Sequence, residues 1–188
     1  MVYLKRYLIK IPSDITIFYC DKKQALLIKG ALGNKILKLQ MKLKVFTLNK
    51  LINVTNLSFK KLSSKKTMKS LQGTTVSLIK QAFLEVSTLI YRKLKLVGVG
   101  YKIFIIKNKA TNVIHFKLGY SHSIYFRIPS SISIKCYKAI KLFISGNRSN
   151  YVSQIAALFR SYKMPEPYKG KGILYSNEHI KLKEGKKI

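Results

Sequence analysis

Polar and apolar residues alternate at every second position in two short segments that resemble each other. The segment IPSDITI, residues 11–17, returns as IPSSISI, residues 128–134. Each is followed by a second apolar segment that ends in glycine: LLIKG, residues 26–30, and LFISG, residues 142–146. Alternation with a period of two predicts half-buried β-strands. The pattern predicts an internal duplication whose copies each contain two strands, with chance similarity of simple strand sequences as the alternative explanation.

Each half of the chain also contains an apolar stripe with the spacing of an α-helix. The first stripe comprises Thr75, Ile79, Ala82, Phe83, Val86 and Ile90, and the second comprises Tyr151, Ile155, Leu158, Phe159 and Tyr162. The second helix is expected to begin near residues 147–149, which are suited to helix capping. It is expected to end before Pro165, because the residue ahead of a proline disfavours the helical conformation.

These elements predict the fold class. A helix that covers one face of a small antiparallel sheet buries that face. We therefore predict an α+β fold of two duplicated small domains, each an antiparallel sheet packed with a helix, plus a basic C-terminal tail. The predicted segments are an N-terminal domain at 1–91, a C-terminal domain at 92–163 and an RNA-binding extension at 164–188. Segment 59–70, with five lysines, is predicted to be a solvated loop, and RNA contact is an equally good hypothesis for it.

The charge composition narrows the choice of partner. Thirty-seven Lys and Arg residues face six Asp and Glu residues, which gives a formal net charge of +31. Solubility needs a net charge of only about 2 to 8 in a small domain, and so many cations repel one another unless an anionic partner is near. No apolar run approaches the ~20 residues that a membrane-spanning helix needs. We therefore expect a nucleic-acid partner and no membrane partner, with binding to an anionic membrane surface as the weaker alternative.

Groups suited to catalysis are sparse. No two acids have the spacing of a general acid–base pair, and no His or Cys cluster has metal-ligand spacing. Gly98 and Gly100 form a bare GxG without the third glycine of a nucleotide-binding fingerprint. His122 is a candidate catalytic residue, but a place at a turn or strand edge is the commoner role for such a histidine. We expect no enzyme activity, catalytic residue, metal, cofactor or small-molecule substrate.

The C-terminal part of the chain mixes cations with residues of special geometry. From Arg160 onward there are eight basic residues and three acids. Basic side chains that neutralise phosphates release counterions, and tyrosines stack on unpaired bases. In MPEPYKGKGILY, residues 164–175, the prolines are expected to hold an extended basic ribbon, and the glycines to expose backbone N–H groups to phosphates. A proline-stiffened linker with incidental lysines is the alternative.

Motifs in this region resemble a known family. PEPYKGKG, residues 165–172, follows the amphipathic QIAALFRSYK, residues 154–163, and the pair resembles the universal sixth protein of the large ribosomal subunit in its bacterial type. LVGVGYK, residues 96–102, and LGYSH, residues 118–122, resemble two further family motifs in the expected order. The IPS repeats match the family's two-domain duplication.

The resemblance implies a structural protein that binds large-subunit ribosomal RNA near its 3′ domain. It implies a position close to the sarcin–ricin region and the translation-factor site, chiefly through the second domain, with neighbouring large-subunit ribosomal proteins as further partners. The family's RNA contacts, carried onto this chain, fall on Lys163, Tyr168, Lys169, Gly170, Lys171 and Gly172. Tyr175, Lys181 and Lys183 adjoin them, Ser121 and His122 are expected near the same surface, and Arg160 is added because of its charge. The alternative is a basic RNA-binding or RNA-modifying protein outside the ribosome.

Codon chemistry indicates where the protein works. Lysine greatly outnumbers arginine, and Ile, Asn, Tyr and Phe are frequent; the codons of these residues are AT-rich, as in many organelle genomes. The N-terminal residues MVYLKRYLIKIP reach a proline too early for a secretory signal and lack the Arg- and Ser-rich character of a transit peptide. With bacterial-type motifs, this composition favours a mitochondrial ribosome. A plastid or the cytoplasm of an AT-rich bacterium is the alternative.

Overall fold

The computed structural model describes residues 7–59, 64–107 and 112–185. Contacts between residues divide the chain into two compact units, of which the first ends at Leu89 and the second begins at Ile90. This division lies just ahead of the predicted boundary after residue 91. Part of the lysine-rich segment, 60–63, and the terminal residues 186–188 lie outside the described residues.

The described part of the first unit consists of six strands and one helix. They are β1 (Leu8–Lys10), β2 (Thr16–Cys20), β3 (Ala25–Gly30), β4 (Gly33–Lys38), β5 (Met41–Phe46), β6 (Leu51–Ser58) and α1 (Lys65–Ser87). The strands form two antiparallel sheets in the orders β2-β3-β4 and β1-β6-β5. Helix α1 packs against strands of both sheets. Ile79 and Ala82 of the helix are fully buried against Leu26, Ile28 and Ile52 in one hydrophobic core.

The second unit, in its described part, consists of seven strands and one helix. They are β7 (Ile90–Val97), β8 (Lys102–Lys107), β9 (Asn112–Lys117), β10 (Ile124–Arg127), β11 (Ile132–Tyr137), β12 (Lys141–Gly146), α2 (Ser149–Tyr162) and β13 (Gly172–Tyr175). A four-stranded antiparallel sheet has the order β11-β12-β7-β13, and a three-stranded one has the order β10-β9-β8. Helix α2 packs on β7, β12 and β13. Phe116 and Phe159 lie at the centre of the core.

The two segments that repeat in the sequence form equivalent antiparallel hairpins. In the first unit Ile17 of β2 lies opposite Ile28 of β3. In the second unit Ile134 of β11 lies opposite Ile144 of β12. Three further strands follow the hairpin before α1, whereas α2 follows its hairpin directly. The predicted α+β fold, with a helix on antiparallel sheets in each unit, is confirmed.

Helix α1 begins earlier and ends earlier than the apolar stripe predicts. Ser64 caps it by accepting a hydrogen bond from the Thr67 amide, so residues 65–70 are helical and the prediction of a loop there is wrong. At the other end Thr88 has an extended backbone, and its amide donates to the carbonyl of Leu84. The chain therefore leaves the helix before Ile90, which lies in β7 rather than on the helical stripe.

The buried stripe of α2 is rotated from the predicted one. Ile155 and Phe159 are buried as predicted, but Val152 and Ala156 complete the stripe, while Tyr151 is 47% and Leu158 41% exposed. The small side chain of alanine lets the helix approach the sheet closely. The helix begins at Ser149, as predicted, and its N-cap residue Arg148 makes no side-chain capping bond. The helix ends at Tyr162, as the following Pro165 requires.

The segment 164–175 is a closed loop followed by a strand, so the prediction of an extended ribbon is wrong. The Gly170 amide donates to the Glu166 carbonyl at 2.9 Å, and the Glu166 amide donates to the Lys171 carbonyl at 2.9 Å. The Ile173 amide donates to the carbonyl of Lys163 at 2.9 Å. Because the backbone bonds to itself across the loop, the chain can turn and enter the four-stranded sheet as β13.

An ion pair joins the chain after β13 to helix α2. The Arg160 guanidinium donates to both oxygens of Glu178, with Nε at 3.1 Å from Oε2 and NH2 at 2.6 Å from Oε1. The Tyr175 amide donates to Oε2 of the same carboxylate at 3.1 Å. The bond from Arg160 holds the pKa of Glu178 below its ordinary value. Two residues far apart in sequence therefore fix the direction of the C-terminal segment.

Replacing Gly172 should destabilise the second unit. Its backbone φ is +154°, and an added Cβ would lie 2.6 Å from the Cα of Pro165. We expect Gly172→Ala to lower the free energy of unfolding by about 2–4 kcal/mol, from backbone strain and overpacking. Denaturant unfolding followed by circular dichroism measures this. The control Gly185→Ala adds the same methyl group where no atom lies within 4 Å, and an equal loss there would contradict the packing explanation.

The Arg160–Glu178 pair should make stability depend on pH. Because the folded-state pKa of Glu178 lies below its ordinary value of 4.5, its stabilisation is fully present above about that pH. It is lost as the pH falls through the folded-state pKa. We expect Glu178→Gln to cost about 1 kcal/mol at pH 7 and progressively less as the pH falls below 4.5, measured by thermal unfolding. Glu184→Gln removes the same charge from an exposed position, and an equal cost at pH 7 would show that the pair has no specific role.

Candidate nucleic-acid interface

Two segments that are distant in sequence meet at the C-terminal end of helix α2. The Tyr120 hydroxyl donates to the carbonyl of Tyr162 at 3.0 Å, which joins the LGYSH segment to the last turn of the helix. The Lys163 Nζ lies 4.1 Å from the centroid of the Tyr120 ring, in a cation–π contact. The His122 ring stacks on the same Tyr120 ring, with 5.5 Å between the two ring centroids. The structure thus brings the LGYSH segment beside the start of the loop.

The glycines of the LVGVGYK and LGYSH motifs accommodate an aromatic ring. A Cβ on Gly98 would lie 2.8 Å from the ring of Tyr101, and one on Gly119 would lie 3.2 Å from it. Tyr101 packs against the core of the unit. Gly98 therefore serves packing, Gly100 takes a positive φ of 77° in the turn, and a strand rather than a helix follows the GxG sequence.

Tyr101 and Tyr120 also line a shallow cleft beside the loop. The cleft has a volume of about 390 Å³ and is lined by Tyr101, Tyr120, Lys163, Met164, Glu166 and Lys171. Neither tyrosine was a predicted site residue, because an exposed tyrosine in sequence looks the same as one that packs. The signal that could have found Tyr101 is the presence of glycines in both motifs, because a large side chain can lie against an empty Cβ position, as Tyr101 does at Gly98 and Gly119.

The predicted site residues of the loop differ in accessibility. Tyr168 is 53% exposed and Lys169 lies beside it on the surface. Lys171 is half-buried, whereas Gly172 is buried at the start of the edge strand β13. The amide of Gly170 is used within the loop, so the expectation that both glycines present free N–H groups to phosphates is wrong. Their physical role is to permit the turn and its packing on Pro165.

The C-terminal segment folds back along the loop. The Lys183 amide donates to the carbonyl of Pro167 at 2.9 Å, next to Tyr168. An added Cβ on Gly170 would lie 3.5 Å from the side chain of Leu182. Lys181 and Lys183 are exposed. The lysines of the loop and of the C-terminal segment consequently lie on one part of the second unit.

Two other predicted site residues are engaged within the protein. Arg160 gives its guanidinium to Glu178 and lies 6.0 Å from the Tyr175 ring, and the ion pair raises the pKa of the arginine. Tyr175 is half-buried and packs against the core. Ser121 and His122 are exposed. The accessible predicted residues are therefore Lys163, Tyr168, Lys169, Lys171, Lys181, Lys183, Ser121 and His122.

The described residues contain neither a metal-binding cluster nor a membrane-spanning helix. Across 7–59, 64–107 and 112–185, no group of three or more His, Cys, Asp or Glu side chains could hold a metal ion. No helix in those ranges has the length and apolar character to cross a membrane. The exposed groups that cluster are lysines and aromatic rings, which bind anions and stack on flat surfaces.

Comparison with known proteins identifies the family. The profile described as "Ribosomal protein L6" matches residues 97–176. The chain is 40% identical to the large ribosomal subunit protein uL6 of Malacoplasma penetrans over 179 residues, which covers 95% of this chain and 92% of the relative. It is 38% identical to that of Mycoplasmoides gallisepticum over 180 residues, 95% and 92% of the two chains. With uL6 of Buchnera aphidicola it shares 44% identity over 115 residues, 61% and 63% of the two chains.

These matches confirm the predicted resemblance. The relatives are bacterial, which indicates a ribosome of bacterial type, in a bacterial cytoplasm or in an organelle. Proteins of this family are structural components of the ribosome and not enzymes, so the expectation of a non-catalytic protein is also confirmed. Because identity extends over nearly the whole chain, the conclusion applies to both units: the chain belongs to the ribosomal protein L6 family, the uL6 proteins of the large ribosomal subunit.

Proposed function

We propose that this protein binds large-subunit ribosomal RNA near the sarcin–ricin and translation-factor region, chiefly through the closed loop and the C-terminal segment of its second unit. The observation that carries the proposal is the backbone bond between Lys183 and Pro167, which puts two lysine-bearing segments side by side. Phosphates that approach this surface meet Lys169, Lys181 and Lys183 together. Neutralising them releases counterions, and the affinity then depends strongly on salt.

Preorganisation of the loop strengthens this proposal. Three backbone hydrogen bonds and the packing of Gly172 on Pro165 hold the loop before any partner binds. Little conformational entropy is then lost on docking. Tyr168 stands at the tip of the turn and can stack on an unpaired base or lie along a sugar. A rigid cationic loop of this kind braces folded RNA without catalysis.

Lys163 has a second role in the proposal. Its ammonium group rests on Tyr120, which is itself stacked on His122 and bonded to the end of α2. This contact fixes the position of a side chain that would otherwise move freely. We infer that Lys163 offers a placed positive charge at the edge of the RNA surface, with Ser121 and His122 adjoining.

The charge of the second unit supports an RNA partner beyond the loop itself. Residues 90–165 contain no Asp or Glu. This stretch of the chain offers no negative charge that would repel phosphates. A surface that binds another protein usually carries charges of both signs. Neighbouring ribosomal proteins of the large subunit complete the proposed set of partners, on surfaces that the loop does not occupy.

The proposed cellular location is the mitochondrial ribosome. The lysine-, isoleucine- and asparagine-rich composition supports an AT-rich genome, and the bacterial relatives support a ribosome of bacterial type. A plastid ribosome or the ribosome of an AT-rich bacterium is the alternative.

Removing two loop lysines should change the salt dependence of RNA binding. We expect Lys169→Ala with Lys171→Ala to reduce the magnitude of the slope of log K against log salt by about one to two units, if both touch phosphates. The probe is an RNA fragment that contains the sarcin–ricin hairpin and its adjoining helices. The measurement is filter binding between low and moderate salt.

The matched control removes the same charge from the first unit. Lys22 and Lys23 lie exposed in the turn between β2 and β3, and their replacement by Ala should leave the slope nearly unchanged. Equal slopes in the loop variant and the parent protein would mean that these lysines face water. Equal binding to an unrelated ribosomal RNA fragment would contradict the proposed binding near the sarcin–ricin region but would still support RNA binding.

Cell fractionation tests the proposed location. We expect the protein to sediment with large ribosomal subunits from isolated mitochondria and to stay with them at moderate salt. Immunodetection across a sucrose gradient measures this. Recovery with plastid or cytoplasmic ribosomes would replace the mitochondrial proposal, and recovery away from any ribosome would favour an RNA-binding role outside it.

A further inference from the structure

Across β7, β11 and β12, the four-stranded sheet of the second unit has one covered face and one open face, whereas on β13 the side chain of Leu174, opposite Lys95, is buried. Side chains at alternate positions of β7, β11 and β12 enter the core and pack beneath α2; Leu94, Ile134, Leu142 and Ile144 are among them. The positions between them point away from the helix, because side chains alternate along a strand. This open face is a second surface of the unit, carried by strands rather than by the loop.

Three aromatic side chains run diagonally across the open face. Tyr137 of β11 and Phe143 of β12 are in contact, with 5.0 Å between ring centroids at an angle of 71°. Tyr91 of β7 lies beyond them along the diagonal, since Lys93 is opposite Phe143 and Tyr91 is opposite Ser145. Tyr91 is 59% and Tyr137 55% exposed. Large aromatic groups on an open sheet face are costly to leave in water unless a partner covers them.

A lysine links these rings. The Lys93 Nζ lies 5.3 Å from the centroid of Phe143 and 5.4 Å from that of Tyr91. The charge is thus held between two rings. A base stacked on either ring would bring its phosphate within reach of the ammonium group, because the stacking surface and the cation are side by side.

Further cations surround the diagonal. Lys95 of β7, Lys135 of β11 and Lys141 of β12 occupy the same face, since Lys135 and Lys93 both lie opposite Phe143 and Lys141 lies opposite both Lys95 and Tyr137. The strands β7, β11 and β12 contain no acid. The face therefore combines four positive charges with three aromatic rings.

We propose that this open face binds a short unpaired stretch of RNA, with bases stacked on Tyr91 and Tyr137 and phosphates neutralised by the four lysines. A four-stranded sheet that stacks bases on aromatic residues is a known physical solution for single-stranded RNA. A duplex does not fit, because its bases are already stacked on one another and cannot reach the rings. A protein partner is disfavoured by the four like charges, which such a partner would have to match with acids.

This binding surface uses different residues from the loop, although the C-terminal segment borders it: the Ser176 amide donates to the carbonyl of Lys93 at 3.0 Å. Its residues lie on β7, β11 and β12, and none of them belongs to 160–185. The inference goes beyond the proposed function, because loss of the loop contacts would leave the sheet face unaltered. The two proposals can therefore fail independently.

A binding experiment tests the proposal. Fluorescence anisotropy measures the affinity of the full-length chain for a labelled single-stranded oligoadenylate of 12 nucleotides. We expect Tyr91→Leu with Tyr137→Leu to weaken binding by about 10- to 100-fold, from the loss of two stacking surfaces. Tyr91→Phe with Tyr137→Phe should retain most of the affinity, because the ring faces remain. The charge of the protein is the same in all three proteins, so electrostatic attraction cannot produce the difference.

The matched control removes two exposed rings elsewhere. Phe18 lies in the first unit beneath Lys29, at 5.2 Å, and Tyr125 lies on β10. Phe18→Leu with Tyr125→Leu should leave binding almost unchanged. Unchanged binding in the Tyr91 and Tyr137 double variant, or an equal loss in this control, would overturn the proposal. Circular dichroism at the same temperature confirms that each variant is folded.

Assembled large subunits provide the second readout. Ultraviolet irradiation should cross-link peptides that contain Tyr91 or Tyr137 to ribosomal RNA. Cross-links from the loop peptide alone would support the proposed function and overturn the sheet-face proposal. Chemical cross-links from Lys93 and Lys135 to a neighbouring protein, with no RNA cross-link from this face, would assign the surface to a protein and would also overturn it. The Lys169 and Lys171 double variant should keep the sheet-face cross-links.

Discussion

The close packing of Gly172 against Pro165 decides the shape of the second unit's C-terminal part. No side chain fits between them, because a Cβ on Gly172 would lie 2.6 Å from the proline Cα. The contact lets the chain close a short loop after α2 and re-enter the sheet as β13, where Ile173 and Leu174 are buried. Without that closure the lysines of the loop would lie on a segment with no fixed conformation. The prolines and glycines of this segment therefore act together. The prolines stiffen the turn, and the glycines lack the side-chain atoms that would clash.

Charge imposes a second constraint on this fold. Six acids cannot neutralise thirty-seven basic residues, and some of the acids are committed to structure. Glu178 holds Arg160 and the Tyr175 amide, and the buried Glu85 of α1 pairs with Lys35 and accepts a bond from Gln81. Most lysines therefore remain available for an external anion. Membership in a ribosomal family agrees with this excess of basic residues, because a ribosomal protein lies next to a dense polyanion that lowers the repulsion among its cations.

Aromatic residues take two different physical roles in the second unit. Tyr101 lies over Gly98 and Gly119 and holds two motifs together, whereas Tyr91, Tyr137 and Tyr168 are exposed beside lysines. The first role explains why the motifs contain glycine; the second offers flat surfaces for stacking. Both roles look alike in the sequence, since a tyrosine next to lysine or glycine carries no mark of its exposure.

The sequence by itself determined the fold class, the paired hairpins, the existence of both helices and the family. These follow from local periodicity and from motifs, which depend on near neighbours in the chain. Only the tertiary structure decided which residues of the tail are accessible. The amide of Gly170, the guanidinium of Arg160 and the backbone of Gly172 are all used internally, through contacts with Glu166, Glu178 and Pro165. The limits of helix α1 were also decided by the tertiary structure, because its caps are Ser64 and Thr88 and the apolar stripe does not mark either residue. Contacts between distant residues cannot be inferred from spacing, so the shape of the candidate interface emerged only when the loop, the LGYSH segment and the C-terminal segment were placed together in space.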